Sequence, residues 1–280
     1  MIFGGPHCTA PQPLPVTKHI DMDASLSTIS GFDFPARLRA LLVHAGLSAL
    51  LAALAGLLVF ALWYPTPFRD IAGGRELFFL VIGVDVIVGP LLTFCIFNRR
   101  KPRAELIRDL GVVALLQLGA LGYGMHTVYQ ARPVVLALEG SRLKVVRAID
   151  VADTVSKAPE PLRTLPLWRY QLVGTRAPAG EDTVKSVELA FAGLDFGVRP
   201  ETWVPWKDMR DEVLTNAKPL SKLLERYPAR AEEIKAQAAR TGRPMEAIKF
   251  LPILGRESTW SALIDASTAE LIGFVPVDGF

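Results

Sequence analysis

The sequence predicts a membrane protein in which three transmembrane α-helices precede an α+β periplasmic domain built on an antiparallel sheet. Half of its 280 residues belong to the AVILMFWYC set and the mean hydropathy is +0.30, more apolar than a soluble domain requires. Three apolar runs, 38–63, 77–97 and 110–130, each reach the roughly 20 residues that cross about 30 Å of hydrocarbon. From 133 onward no such run recurs, and 20 Lys and Arg stand against 20 Asp and Glu. The expected division is an N-terminal segment 1–36, a three-helix domain 37–132 and a water-soluble domain 133–280, whose length suits one core.

Residues 1–36, with PHCTAPQPLP, read as a disordered segment or a start-site artefact, since Met22 is an alternative start. The first apolar run is too long for a cleaved signal and its exit, ALWYPTP, has no A-x-A site, so it reads as a retained anchor. Ser48, Ala52 and Gly56, spaced by four, give it a face for close helix approach, to another span here or to a single-span partner. The loop YPTPFRDIAGGRE balances Arg69 and Arg75 with Asp70 and Glu76. The next loop, NRRKPRAELIRD, concentrates Arg99, Arg100, Lys101, Arg103 and Arg108. Basic loops stay cytoplasmic, and Arg37 and Arg39 precede the first run. The N-terminus is therefore expected inside and 133–280 outside, in the periplasm of a Gram-negative bacterium. Trp63 and Tyr64 close the first run and Tyr129, ahead of Arg132 and Pro133, closes the third, as interfacial aromatics do.

The second run, VIGVDVIVGPLLTFCIF, carries Asp85 in its middle, where a carboxylate costs about 2.5–3.5 kcal/mol on insertion scales. Counted along ideal helices, Asp85 and Tyr123 lie about 18 and about 20 Å from the cytoplasmic end, and His44 and Gln117 about 9–11 Å. A two-tier polar seam is the expectation. It reads either as interhelical hydrogen bonding or as a proton or ion relay. Gly89-Pro90 predicts a kink that frees a carbonyl near Asp85. Gly-Tyr-Gly at 122–124 lies in continuous helix pattern and is discounted as an ion filter.

In the soluble half, RPVVLALEGSRLKVVRAIDV predicts a hairpin about Glu139-Gly140-Ser141. DTVKSVELAFAG predicts a helix capped by Asp182 or Thr183, with Val184, Val187, Leu189 and Phe191 partly buried. Helical patterns follow at roughly 207–216, 219–227 and 229–241. The C-terminal FLPILGRESTWSALIDASTAELIGFVPVDGF predicts three strands joined at Gly255-Arg256-Glu257 and Ala266-Ser267-Thr268. Trp168, Trp203, Pro205 and Trp206 read either as core or as a partner surface.

The domain after 132 holds no histidine and no cysteine. His-based acid-base catalysis, thiol chemistry, the usual zinc sites and disulfides are thus excluded within it. No HExxH, P-loop or GxSxG pattern occurs anywhere. The net charge of +3 is small, with its basic excess in the membrane half, a pattern of topology and not of nucleic-acid binding. Ser/Lys catalysis stays open by composition although no paired motif supports it, and no catalytic, cofactor or metal site is expected.

WYPTPFRDIAGG, VIGVDVIVGPLLTFCIFNRRK, LLQLGALGYGMHTVYQARPVVLALEGSRLKVV and FLPILGRESTWSALIDASTAELIGFVPV, in that order, resemble the TfpX/TfpZ family of type IV pilin accessory proteins across roughly residues 35–280. The resemblance implies an inner-membrane factor for type IV pilus assembly, acting as chaperone or assembly helper on a cognate major pilin, with other inner-membrane pilus-assembly proteins and lipid as further partners. It implies no enzymatic activity and no cofactor. Asp85, Gly89, Pro90, Tyr129, Arg132 and Pro133 fall in the matching motifs. With His44, Gln117, Tyr123, Trp203 and Trp206 they are the candidates for partner-binding or structural weight. The competing expectations are a membrane sensor or transducer, which would want a cytoplasmic output domain, and a small transporter or membrane enzyme using His44, Asp85, Gln117 and His126.

Overall fold

The computed structural model describes residues 33–180, 182–255 and 258–280; the expected N-terminal segment up to residue 32 and most of the turn Gly255-Arg256-Glu257 lie outside them. Asp33 opens the first helix, α1 (Phe34–Leu58): its carboxylate accepts the Ala36 amide at 3.2 Å, and Pro35 occupies the first turn, where its missing N–H costs nothing. Residues 34–36 are thus already helical. The helix continues through one wider turn, Val59–Trp63, and stops at Tyr64, ahead of Pro65 and Pro67.

A short helix, α2 (Phe68–Ile71), follows, and Gly73, at φ 72°, turns the chain into α3 (Gly74–Ile96). Tyr64 is fully buried, and a Cβ on Gly74 would overlap its ring. Pro102 precedes α4 (Arg103–Gln130). At the C-terminal end of α3 Arg37 donates to the carbonyls of Phe94 and Cys95, at 3.1 and 2.9 Å, a cation on the negative end of that helix.

Two helices, Phe34–Trp63 and Gly74–Ile96, are long and apolar enough to cross a membrane. The third expected span forms as a 28-residue helix but falls short of that apolarity. Arg103, Glu105, Arg108 and Asp109 load its first turns, and Gln117, His126 and four glycines dilute the rest.

Beyond α4 the chain enters the sheet after two residues. The strands are β1 (Pro133–Glu139), β2 (Arg142–Arg147), β3 (Gln171–Thr175), β4 (Trp203–Pro205), β5 (Lys218–Pro219), β6 (Ile248–Leu254), β7 (Thr259–Asp265) and β8 (Leu271–Val275). Their order is β4-β3-β1-β2-β6-β7-β8, with β5 on the edge of β6 that β2 leaves open. The hairpins β1–β2, β6–β7 and β7–β8 are antiparallel, whereas β1–β3 and β2–β6 run parallel. The sheet is mixed, not antiparallel. Period-2 patterning carries no information on strand direction, and both parallel pairs join strands far apart in sequence.

All seven residues of β1 are buried. Leu136 and Leu138 join one core with Leu143, Leu251 and Ile253, while Val135 and Ala137 meet Val173 and Trp203 on the other side. Between the strands lie α5 (Ala148–Val151), α6 (Thr183–Phe191), α7 (Arg210–Asn216), α8 (Leu220–Arg226) and α9 (Ala231–Ala239). The last two set Leu220, Leu223, Ile234 and Ala238 against Phe250, Leu263 and Val275. Asp182 caps α6 as expected, accepting the Val184 amide at 3.3 Å. Of its apolar stripe only Leu189 is partly buried as expected: Val184, Val187 and Phe191 are exposed, Phe191 at 90%. Amphipathic spacing shows that a helix has an apolar face, not that its own chain covers it.

The loop between the two most apolar helices belongs to the sheet's core. Phe68 and Ile71 are fully buried beside Leu136, Leu138 and Leu251, Phe68 stacks on Tyr170 at 4.5 Å between ring centroids, and Ser258 Oγ donates to the Asp70 carbonyl at 3.2 Å. Helices and sheet are keyed together there.

Candidate functional site

The helices α1 and α4 each pack along α3 but barely touch one another. A groove therefore runs between them, floored by α3. In the small-residue stripe of α1, Ser48 and Ala52 line this groove, Ser48 being buried, and a Cβ on Gly56 would stand 3.2 Å from the Phe78 ring of α3. The close-approach partner of Gly56 lies within this chain.

Asp85 sits on the groove floor with His44, Ile82, Gln117 and Leu121 around it. It is 9% exposed, and its Oδ2 is buried with no hydrogen-bond partner among the described residues, a costly state for a polar atom. Gln117 reaches the backbone instead, donating from Nε2 to the Asp85 carbonyl at 3.0 Å. Gly89 makes this possible, since a Cβ there would overlap the Gln117 amide. Pro90 is buried in the same helix, where it has no N–H to give the turn before it. His44 Nδ1 and Thr93 Oγ1 lie 2.5 Å apart at a lower level.

The structure thus gathers His44, Asp85, Gly89 and Gln117 on two tiers, although Gln117 stands level with Asp85 and not with His44. Tyr123 turns away, 77% exposed on the outside of α4. Thr93 was missed because a single hydroxyl in an apolar helix has no pattern to mark it. A buried Asp with only carbonyl-directed neighbours can accept from a partner.

Tyr129, Arg132 and Pro133 form the joint between helix and sheet. The Arg132 guanidinium lies 3.7 Å from the Tyr129 ring centroid and donates to the carbonyls of Tyr129 at 2.9 Å and Pro166 at 3.3 Å. Burial lowers its pKa from the usual value, and its Nε has no partner among the described residues. Tyr64 donates its hydroxyl to the Val128 carbonyl at 3.0 Å, and burial raises its pKa. These residues hold position; none faces an opening.

Trp203 is core, its Nε1 donating to the Gly197 carbonyl at 2.9 Å, and half-buried Trp206 donates likewise to Ala269 at 3.0 Å. Trp168 is exposed near the end of α1, where the Arg169 amide donates to the Leu62 carbonyl. The expected aromatic patch is dispersed. Among the described residues no cluster of His, Cys, Asp and Glu can hold a metal. A polar cavity of about 560 Å³ beside Lys144, Arg147 and Asp150 has its cations engaged by Asp195 and Asp150.

Comparison with known proteins adds an independent finding. A family model described as fimbrial assembly protein FimB matches residues 32–73, the stretch from α1 through the keyed loop. A fimbrial assembly protein of serogroup I from Dichelobacter nodosus is 33% identical over 242 residues, 85% of this chain and 94% of that protein. The serogroup E1 protein from the same organism is 33% identical over 243 residues with the same coverage. The protein of serogroups C1 and C2 is 41% identical over 109 residues, 39% of this chain and 83% of its own length. No solved structure matches.

Proposed function

Because the chain belongs to the family of fimbrial assembly proteins, we propose that it is an inner-membrane accessory factor for type IV pilus biogenesis, of the TfpX/TfpZ kind, which assists the stability or incorporation of a cognate major pilin. The observation that carries this reading is similarity running over 94% of relatives whose names state fimbrial assembly. A pilin subunit awaiting assembly presents a membrane helix and a globular head. The proposed helper has two matching zones, a helical bundle and a domain held against it.

In this reading all three long helices span the membrane. Depth pairing supports α4 as the third: along α3 Gln117 meets Asp85 and a Cβ on Gly124 would overlap Val81, and near its end Val128 meets Tyr64, at the close of the first helix. The basic loop after α3 stays in the cytoplasm and 133–280 stands in the periplasm. The helices contact the pilin helix and the outer domain contacts its head. No enzymatic step is invoked.

Deleting the gene and blotting the cognate pilin in whole cells and in sheared surface fractions tests this. Surface pilin should fall at least tenfold and return with the full chain. A parallel fall in total pilin identifies chaperoning; unchanged pilin in both fractions overturns the reading in favour of a sensor or transporter.

A further inference from the structure

We propose that the groove between α1 and α4 seats one transmembrane helix of the assisted fimbrial subunit, and that this helix brings a hydrogen-bond donor to Asp85. The inference rests on the assembly reading above and adds where the contact is made and which chemistry makes it.

The small-residue face of α1, the first place to look for helix docking, is divided: Gly56 packs on Phe78 of α3, while Ser48 and Ala52 line the groove. The unfilled face is the groove. Two adjoining cavities, of about 130 and 480 Å³, share His44, Leu47 and Ala114 and form one channel along the bundle. It follows α1 from Ala36 to Ala52, about 24 Å at about 1.5 Å per residue, which matches most of a membrane-spanning helix. Its walls are mainly apolar, with Leu47 and Leu118 exposed, and Arg39 and Arg99 line the end away from Asp85.

Asp85 decides the occupant. Asp85 lines this groove, 9% exposed, and its Oδ2 has no partner among the described residues. A lipid tail would fill the apolar walls but brings no donor to that depth. A helix does, through an ammonium, amide or hydroxyl on one side chain, and the contact then offsets the cost of holding a carboxyl in hydrocarbon. One well-placed donor in an otherwise apolar helix also fixes its register along the groove.

The test is photocrosslinking from p-benzoylphenylalanine placed singly at Leu47, Leu51 or Leu118, with Ile87 on the opposite side of α3 as control, in membranes of the fimbriated strain. Blots with antibody to the fimbrial subunit should show an adduct at the summed mass from the groove positions, at least tenfold stronger than from Ile87. Asp85→Leu should reduce it at least tenfold while the helper accumulates normally; Asp85→Asn, which keeps an accepting oxygen, should retain most of it. Should Asp85→Leu fail to accumulate, the groove adducts and the Asn variant decide.

Adducts with a second copy, with lipid or with a different protein, equal labelling from Ile87, or no adduct, each overturn the proposal, as does an Asp85→Leu variant that crosslinks normally. Surface pilin in the deletion strain separates the two failures. If it still depends on this gene while the groove yields no subunit adduct, assembly stands and the seat is elsewhere.

Discussion

Asp265 shows how much a single buried carboxylate fixes. It is 1% exposed, and its Oδ1 accepts the amides of Ser267 and Thr268 at 2.8 and 3.1 Å and the Ser267 hydroxyl, while Arg243 reaches Oδ2 at 2.8 Å. These donors, the Ser267 hydroxyl first, pull its pKa from 3.8 to about 2. A depressed carboxylate stabilises the fold above its unfolded pKa and loses that contribution as pH falls through the folded value. Melting of the full chain in detergent should therefore weaken between roughly pH 4 and pH 2, and Asp265→Ala should flatten that limb and cost about 2 kcal/mol at neutral pH. The turn at 266–268 was legible from its residues, but Arg243, which completes the cluster, lies outside any local pattern. Gly74 gives a second residue-scale outcome. Gly74→Ala should lower stability by about 1–3 kcal/mol because its Cβ has only the fixed Tyr64 ring to enter. Gly83→Ala, in the same helix with nothing within 4 Å, should be neutral or slightly stabilising.

At the scale of elements, helix positions, the β1–β2 hairpin and the last three strands followed from period and turn residues alone. Strand direction and the fate of apolar faces did not, because both depend on what packs across sequence-distant segments. The loop carrying α2 is the strongest case. Arg, Asp and paired glycines make it read as a solvated connection, yet Phe68 and Ile71 are fully buried in the sheet's core. Phe68→Ala should cost about 3–5 kcal/mol and Ile71→Ala about 2–5 kcal/mol, measured as lowered melting of the full chain and reduced accumulation in membranes. A fragment of 133–280 alone lacks both plugs and should melt less cooperatively than the whole protein. Equal cooperativity would mean that the loop rests on the sheet without supporting it. The exposed stripe of α6, Val184, Val187 and Phe191, is the opposite outcome, an apolar face that its own chain leaves open.

For the whole molecule, the keyed loop and the Arg132 joint leave little freedom between bundle and sheet. Arg132 is held by carbonyls on both sides of the boundary, and β1 starts two residues after α4 ends. Whichever side of the membrane receives the end of α4 therefore receives the entire sheet. The keyed loop must lie on that side as well, since Phe68 and Ile71 are in its core. This constraint turns topology into a matter of one loop. Residues 99–103, with Arg99, Arg100, Lys101 and Arg103, are expected to stay in the cytoplasm. Alkaline phosphatase, active only when exported, should then be inactive fused after Lys101 and active fused after Ala131 or at Phe280. Activity after Lys101 would invert the arrangement. Equal inactivity at Lys101 and Ala131 would mean that α4 does not cross and would overturn the three-span arrangement. Substituting Gln for the four basic residues should produce mixed orientations while the sheet stays intact. On the proposed topology the charges choose a side for the domain, and the buried contacts at Tyr64, Phe68 and Arg132 build the joint that carries it there.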